Sequence, residues 1–344
     1  MLTTVAKGRT YDFSHAVGGL YMPQPIGVVA GEGDTVYVLS RQYEQILDVP
    51  WNKTGTSAQI NRFTVPETAG DEEFLGRFSR YGDSEGELIW PSGIARDSEG
   101  NLYITDEWMS RVSVFSEDGE LLKVWGSGGG GDGELNKPSG IALDSGGVVY
   151  VVDSLNHRVQ KFTKDGEYIA QFGGLGDGDG EFNAPWGIIC DDDDNVYVAD
   201  HKNHRVQKFD GDGNYLVTFG SYGKGRGQLN RPSAVAVDPD GDVYVCDWGN
   251  NRVQVFASDG SFIASLLGDA QQLAKWHQEQ VDANIDVIKA RRRVYTLEPE
   301  WRFAMPTGIT FDTAKSRLLV TDTQRGRLQI YTKVSGYMEA QFNL

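Results

Sequence analysis

Apolar residues in this chain occur in short runs separated by polar turns, with four runs in each unit of about 47 residues. The runs are rich in β-branched and aromatic residues, and Asp-Gly pairs such as Asp165-Gly166 stand between several of them. Asp-Gly favours the tight turn of a β-hairpin, because that turn needs positive φ at its central residues. The pattern predicts four short antiparallel strands per unit. In the unit that begins at Pro138 they cover 140–143, 148–152, 158–162 and 168–172.

The unit recurs six times. Each copy opens with a sequence close to Pro-x-Gly-Ile-Ala, and the opening prolines stand 47 residues apart in the middle of the chain. The six openings are Pro25, Pro91, Pro138, Pro185, Pro232 and Pro306. Four strands per unit and six units predict an all-β fold, a six-bladed β-propeller of four-stranded antiparallel blades in a single domain spanning 1–344. Either an N-terminal strand at about 9–18 or a last run near Ala340 would close the ring and cover its exposed edges.

Two insertions depart from the repeat, at about 43–60 and about 269–303. In the second, apolar residues have helical spacing, Asp269 with Gln272 resembles a capping box, and Arg291–Arg293 form a basic stretch that we expect to be a turn after the helix. The helical positions are Leu273, Trp276, Val281, Ile285 and Ile288. Both insertions follow strands that end on one face of the ring, here named the top face. They form a wall over the channel mouth, or alternatively a capping decoration or dimer surface.

The repeats also contain an Asp-x-x-Asn-x-Arg element, seen at Asp153, Asn156 and Arg158, and a G-x-G-E-[LF] linker before the next proline. In these features and in its Pro-x-Gly-Ile-Ala openings the chain resembles the NHL-repeat six-bladed β-propellers of the bacterial, free-standing type. The resemblance covers residues 25 to 344 and implies the fold. It implies little about function, because propellers host unrelated activities.

Composition narrows the classes of partner. Acidic residues outnumber basic ones by 17 among 344 residues, which disfavours nucleic acid and anionic membranes as partners. The N-terminus has no apolar signal segment, so we expect a cytoplasmic protein. The two cysteines, Cys190 and Cys246, fall in predicted strands and are expected to be buried and inert.

Comparing equivalent repeat positions separates structural residues from candidates for function. The aspartates that recur five residues before an arginine, as Asp153 does before Arg158, are expected to form ion pairs or turn hydrogen bonds within the blade, and His157 and His204 share one repeat position. Residues that differ from their counterparts on the top face are the candidate site. They are Arg41, Glu107, Trp108, Trp186, His201 and Trp248. Arg96 is a further outlier, because it is a charge at an otherwise apolar position of an inner strand.

Two functions remain open at this point. The first is binding of a small molecule or protein partner at an aromatic-lined site at the top of the channel, formed by Arg41, Trp108, Trp186 and Trp248. The alternative is a lyase or hydrolase at the same site, with His201 as acid–base and Glu107 as its electrostatic partner or a metal ligand.

The cofactor is unknown, with a divalent metal such as calcium or zinc left open. The resemblance argues against one kind of metal site, the zinc site of the amidating lyases. Amidating lyases similar to this fold carry zinc-ligating histidines after the opening prolines, where this chain has Ile, Ser, Ser, Trp, Ser and Thr.

Overall fold

Six four-stranded antiparallel sheets surround a central channel in the computed structural model, which describes residues 3–43 and 55–334. The sixth sheet has an additional, fifth strand. This architecture confirms the predicted six-bladed propeller. Two strands precede the first blade, β1 (Thr3–Ala6) and β2 (Arg9–Gly18). Blade 1 contains β3 (Pro25–Ala30), β4 (Thr35–Tyr43), β5 (Gly55–Thr64) and β6 (Phe74–Phe78).

The next two blades follow the same order from the inner to the outer strand. Blade 2 contains β7 (Pro91–Arg96), β8 (Leu102–Asp106), β9 (Arg111–Phe115) and β10 (Leu121–Trp125). A linker with the short parallel pair β11 (Ser127–Gly128) and β12 (Glu134–Leu135) follows. Blade 3 contains β13 (Pro138–Leu143), β14 (Val149–Asp153), β15 (Arg158–Phe162) and β16 (Tyr168–Gly173).

The last three blades complete the ring. Blade 4 contains β17 (Ile188–Cys190), β18 (Val196–Asp200), β19 (Arg205–Phe209) and β20 (Tyr215–Phe219). The linker pair is β21 (Ser221–Tyr222) with β22 (Gln228–Leu229). Blade 5 contains β23 (Val235–Val237), β24 (Val243–Asp247), β25 (Arg252–Phe256) and β26 (Phe262–Leu266). Blade 6 contains β27 (Pro306–Asp312), β28 (Arg317–Asp322) and β29 (Arg327–Val334), with β2 as its fourth strand and β1 as its fifth.

The hydrophobic core is divided among the interfaces between adjacent blades. Each blade is a sheet with two covered faces, so its second strand is mainly apolar and buried, as in β14, where every residue from Val149 to Asp153 is buried. Tyr150 and Val152 of blade 3 pack in one cluster with Ile188 and Val198 of blade 4. Burial of these faces against neighbours explains why the second strands are continuous apolar runs rather than alternating ones.

The N-terminus closes the ring. Strand β2 pairs antiparallel with β29 from Thr10–Val334 to Gly18–Arg327. A charged cluster links this junction to blade 5: the Lys333 ammonium donates to Asp238, Asp240 and Asp242 at 2.5, 2.9 and 2.9 Å. Arg9 adds a bond to Asp242 at 2.9 Å. The run near Ala340, the other candidate for the closing strand, lies outside the described residues.

The second insertion forms three helices rather than one. They are α1 (Lys275–Asp282), α2 (Ile285–Arg293) and α3 (Glu298–Trp301). The predicted capping box is wrong: Ala274 precedes α1 without a side-chain cap, and Asp269 pairs with Arg302 at 3.2 Å. Arg291–Arg293, expected as a turn, are the last turn of α2. Among the described residues no helix is long and apolar enough to span a membrane.

The insertion straps the closure of the ring. Trp276 of α1 is buried against Tyr21, Phe63 and Phe74, so a segment that leaves blade 5 reaches across to blade 1. Cavity-lining residues come from the inner strands and the top loops, and residues 269–303 are not among them. This segment therefore straps the closure and does not form part of the cavity wall. The first insertion lengthens the β4–β5 hairpin, and its middle, residues 44–54 with Trp51, lies outside the described residues.

The recurring aspartates are structural, as predicted. Asp153 is fully buried and accepts bonds from Nε of Arg158 at 2.8 Å and from the backbone N–H of Asn136 at 2.6 Å. Equivalent pairs join Asp200 to Arg205, Asp247 to Arg252 and Asp322 to Arg327. Blade 2 departs from the pattern, because Asp106 accepts backbone N–H groups while Arg111 donates to backbone carbonyls. There the turn hydrogen bonds form without the ion pair.

Candidate functional site

A cavity of about 320 Å³ occupies the centre of the ring. Its wall is mainly apolar, since the repeated Pro-x-Gly-Ile-Ala strands present aliphatic side chains toward the axis. These include Ile26, Val28, Ile94, Ile141, Ile188, Val235 and Ile309. Charged and aromatic groups join the lining at the top, with Arg41, Glu107 and Trp186. An apolar body with a few polar groups is the composition of a small-molecule site.

Arg96 lies toward the other end of the cavity, on the last residue of β7. Its guanidinium is 3.8 Å from the carboxylate of Glu117, while its Nε is buried without a hydrogen-bond partner. The predicted requirement for a partner is therefore met in part by Glu117.

Three charged residues form one side of the mouth. Glu107 lies 4.0 Å from Arg41 and 4.0 Å from Lys137. The Arg41 guanidinium stacks over Trp90 at 4.2 Å and donates to the carbonyl of Pro91 at 3.3 Å. Burial raises the pKa of Glu107, and the two cations oppose that rise. Glu107 is therefore a partly desolvated carboxyl placed where a ligand in the cavity could meet it.

An aromatic cluster forms the opposite side, on blades 4 and 5. The rings of Trp186 and His201 are 4.0 Å apart, and Trp248 meets Trp186 edge-on at 6.1 Å. Nδ1 of His201 lies 3.1 Å from the carbonyl of Pro232, a geometry that assigns the proton to Nδ1 because a carbonyl can only accept. Burial lowers the pKa of His201 to about 4, with Arg231 and Lys202 adding to the effect. The imidazole is therefore neutral near pH 7.

The six predicted site residues thus divide into two groups on one face. Arg41, Glu107 and Trp186 line the cavity. His201 and Trp248 pack beside Trp186 and do not belong to the lining, and His201 is only 8% exposed. Trp108 also lies outside the lining, 46% exposed, with the Lys137 ammonium over its ring at 5.0 Å. The expectation that all six converge on one concave site is met only by the first group.

A ring of hydrogen bonds at the mouth explains several of the outliers. The carbonyl of each opening proline accepts a bond from a side chain of the preceding blade. Serine after the proline is the donor in three blades: Ser92 to Pro138 at 2.8 Å, Ser139 to Pro185 at 3.3 Å and Ser233 to Pro306 at 3.1 Å. In the other three the donor follows the repeat aspartate or its counterpart: Arg41 to Pro91, His201 to Pro232 and Thr323 to Pro25 at 2.6 Å. We name these six bonds the proline ring.

Sequence comparison missed this relation although its signal is present. The blades that lack serine after the proline, with Ile26, Trp186 and Thr307, are those in which the residue after the repeat aspartate or its counterpart supplies the donor. The residue after the proline and the residue after the repeat aspartate are alternative donors: where one cannot donate to the next proline carbonyl, the other does. His201 consequently has a structural bond in addition to any chemical role.

The two other repeat histidines, His157 and His204, have equivalent structural roles and join neighbouring blades. Nδ1 of His157 accepts the backbone N–H of Ala184, and Nδ1 of His204 accepts that of Arg231, both at 3.0 Å. Burial raises the pKa of Cys190 and Cys246 far above its usual value, so both thiols stay protonated. Across residues 3–43 and 55–334 no group of three or more His, Cys, Asp or Glu is arranged to hold a metal ion.

Comparison with known proteins agrees with this architecture. The NHL repeat family matches residues 88–115, 135–162, 182–209 and 229–256, which lie in blades 2 to 5. No curated protein matches the sequence.

Solved structures resemble the fold at low sequence identity. A catalytically inactive virginiamycin B lyase from Staphylococcus aureus with quinupristin is 14% identical, with a TM-score of 0.56 over 94% of this chain and 100% of that one. A streptogramin B lyase is 14% identical, with a TM-score of 0.57 over 96% and 100%. A Bacteroides thetaiotaomicron protein of unknown function is 16% identical, with a TM-score of 0.60 over 95% and 76%. This chain is therefore a six-bladed β-propeller that carries four NHL repeats.

Proposed function

We propose that this propeller binds a small molecule in its central cavity, entering from the top face between the Arg41–Glu107 pair and Trp186. The observation that carries the proposal is the cavity itself: an apolar wall inside a rigid ring, with few charged groups, of which Arg41 and Glu107 lie at its mouth and Arg96 at its other end. Rigid, largely preformed cavities of this composition lose little conformational entropy on binding.

Trp186 is the side chain best placed to contact such a ligand. It lines the cavity and is held from behind by His201 and Trp248, so its ring is fixed before a ligand arrives. Arg41 is similarly fixed by Trp90 and by the carbonyl of Pro91. Both groups can therefore contribute contact area or hydrogen bonds without being ordered at the time of binding.

A ligand screen with a matched pair of variants tests the proposal. Compounds that raise the melting temperature are titrated by calorimetry into wild type, Trp186→Ala and Tyr295→Ala. Tyr295 is fully exposed on the strap and supplies an aromatic control outside the cavity. We expect Trp186→Ala to weaken binding by about tenfold, equivalent to roughly 1.4 kcal/mol, and Tyr295→Ala to leave it unchanged. Equal affinities for all three proteins would place the ligand elsewhere and reject the proposal.

The alternative, a lyase or hydrolase reaction at the same mouth, is favoured by the raised pKa of Glu107 in the cavity wall. Glu107 would then be the general acid or base, and His201, which is buried beside Trp186, would act from outside the lining. Turnover of a bound compound by wild type, lost in Glu107→Gln while affinity persists, would support catalysis. Binding without turnover, at an affinity similar in both proteins, supports the binding function alone.

A further inference from the structure

Charged residues stand at both ends of the channel. At the top, the described parts of the loops between second and third strands and the residues before the opening prolines form a rim that is basic apart from Glu107 and the adjacent Asp106. Its cations are Arg41, Lys137, Lys202, Arg231 and Arg325. At the other end, the turns between first and second strands are rich in acids, several of which pair with cations on neighbouring strands, such as Lys164, Lys208 and Lys333. Their acids are Glu32, Asp34, Asp97, Glu99, Asp144, Asp191–Asp194, Asp238, Asp240, Asp242 and Asp312.

The basic rim is unexpected in a chain whose net charge is −17. Lys202 and Arg231 are exposed, and among the described residues neither forms an ion pair. On the opposite side of the mouth, Arg41 and Lys137 share the single carboxylate of Glu107 at 4.0 Å each. The carboxylate of Asp106 also acts on Arg41 and Glu107 and balances the charge on that side, so the excess of positive charge at the mouth lies with Lys202 and Arg231.

Lys202 and Arg231 lie beside the aromatic cluster. Lys202 follows His201, and Arg231 precedes Pro232, whose carbonyl accepts the His201 bond. His201 in turn is stacked on Trp186, which lines the cavity. Both cations act electrostatically on His201, so they lie beside the aromatic cluster against which a ligand on Trp186 would rest.

We propose that the cavity selects anionic ligands, molecules with an apolar or aromatic body that enters the channel and a carboxylate, sulfonate or phosphate that stays at the basic rim. This inference rests on the proposed function, because it concerns the occupant of the same cavity. The exposed cations Lys202 and Arg231 attract an anion to the top mouth, so they favour entry from that end and hold the anionic group of the bound ligand there. Association with the rim is weakened by salt, because the cations are exposed.

A pair of fluorescent probes separates charge from apolar contact. Anilinonaphthalene sulfonate carries one negative charge, whereas phenylnaphthylamine has a closely similar aromatic body without it. We expect wild type to bind the sulfonate at least about tenfold more tightly at low salt. Lys202→Glu with Arg231→Glu is expected to abolish that preference and leave the affinity for phenylnaphthylamine unchanged.

The control is a second double charge reversal of the same size away from the channel. Arg292→Glu with Arg293→Glu changes the net charge equally at the exposed end of α2. It is expected to keep the preference for the sulfonate to within about threefold, because separated surface charges are screened. A loss as large as that of the rim variant would show that net charge alone is responsible and would overturn the proposal.

The outcomes distinguish the two proposals. If neither probe binds saturably, or if Trp186→Ala changes the affinity for neither, the cavity is not the binding site and the proposed function fails. If both probes bind with equal affinity, depend on Trp186 and ignore the reversal of the rim charges, the proposed function stands and the selection for anions is rejected.

Discussion

At the residue scale, His201 is both a candidate catalytic residue and a donor of a structural hydrogen bond. It is the only histidine among the six residues after the repeat aspartate or its counterpart, which made it the candidate acid–base. In the structure its Nδ1–H donates to the carbonyl of Pro232, and burial lowers the pKa of the imidazole to about 4. A neutral imidazole with a fixed tautomer can still act as a base through Nε2, but it lies behind Trp186 and outside the cavity lining.

The lowered pKa of His201 has a consequence for stability. The unfolded chain binds this proton at about pH 6.5 and the folded chain only near pH 4, so the stabilisation is complete above about pH 6.5 and is lost as the pH falls toward 4. His201→Asn retains an N–H donor and does not titrate. Between about pH 7 and pH 4, we expect wild type to lose roughly 3 kcal/mol more of its unfolding free energy than this variant. Urea denaturation across that range measures it, and parallel curves would contradict it.

At the element scale, the proline ring connects each blade to the next with one hydrogen bond at the channel mouth. Two alternative positions supply the donor, and each blade uses one of them. The repeat therefore tolerates a large residue after the proline, such as Trp186, only where the second position carries a donor. The freedom to place an aromatic ring in the cavity wall of blade 4 depends on His201.

A double-mutant cycle tests this compensation. His201→Ala is expected to cost roughly 2 kcal/mol, because it leaves the carbonyl of Pro232 without its bond. In a Trp186→Ser background the new serine occupies the donor position of blades 2, 3 and 5, so we expect the cost to fall to less than about half. A Trp186→Ala background removes the same ring without supplying a hydroxyl and is expected to give no such relief. Equal coupling in the two backgrounds, measured by urea denaturation, would show that stacking alone joins the residues.

At the scale of the whole molecule, ring closure depends on contacts between the ends of the described chain. Strand β2 completes blade 6, and Arg9 and Lys333 meet the aspartates of blade 5. The strap then covers the junction from blade 5 to blade 1 through Trp276. Closure is thus supported on one side by strand pairing and on the other by helical packing.

Two N-terminal truncations test whether β2 closes the ring while β1 is dispensable for closure. Removal of residues 1–18 deletes β2 and exposes the edge of β29, so we expect the amides of β29 to exchange at least about tenfold faster with solvent deuterium. Removal of residues 1–6 deletes only β1, the additional fifth strand, and is expected to leave the exchange of β29 unchanged. Protection of β29 that survives the longer truncation would mean that another segment closes the ring.

The sequence by itself determined the number of blades, the strand order within them and the structural role of the repeat aspartates. These features are encoded in windows of a few residues, by apolar runs and turn residues, and each was repeated up to six times. Tertiary structure alone decided the contacts that join distant residues: β2 with β29, Trp276 with blade 1, and His201 with Pro232. It also decided that Glu107 lines the cavity while Trp108 does not. These outcomes depend on how blades meet around the axis, which a pattern within one blade does not contain.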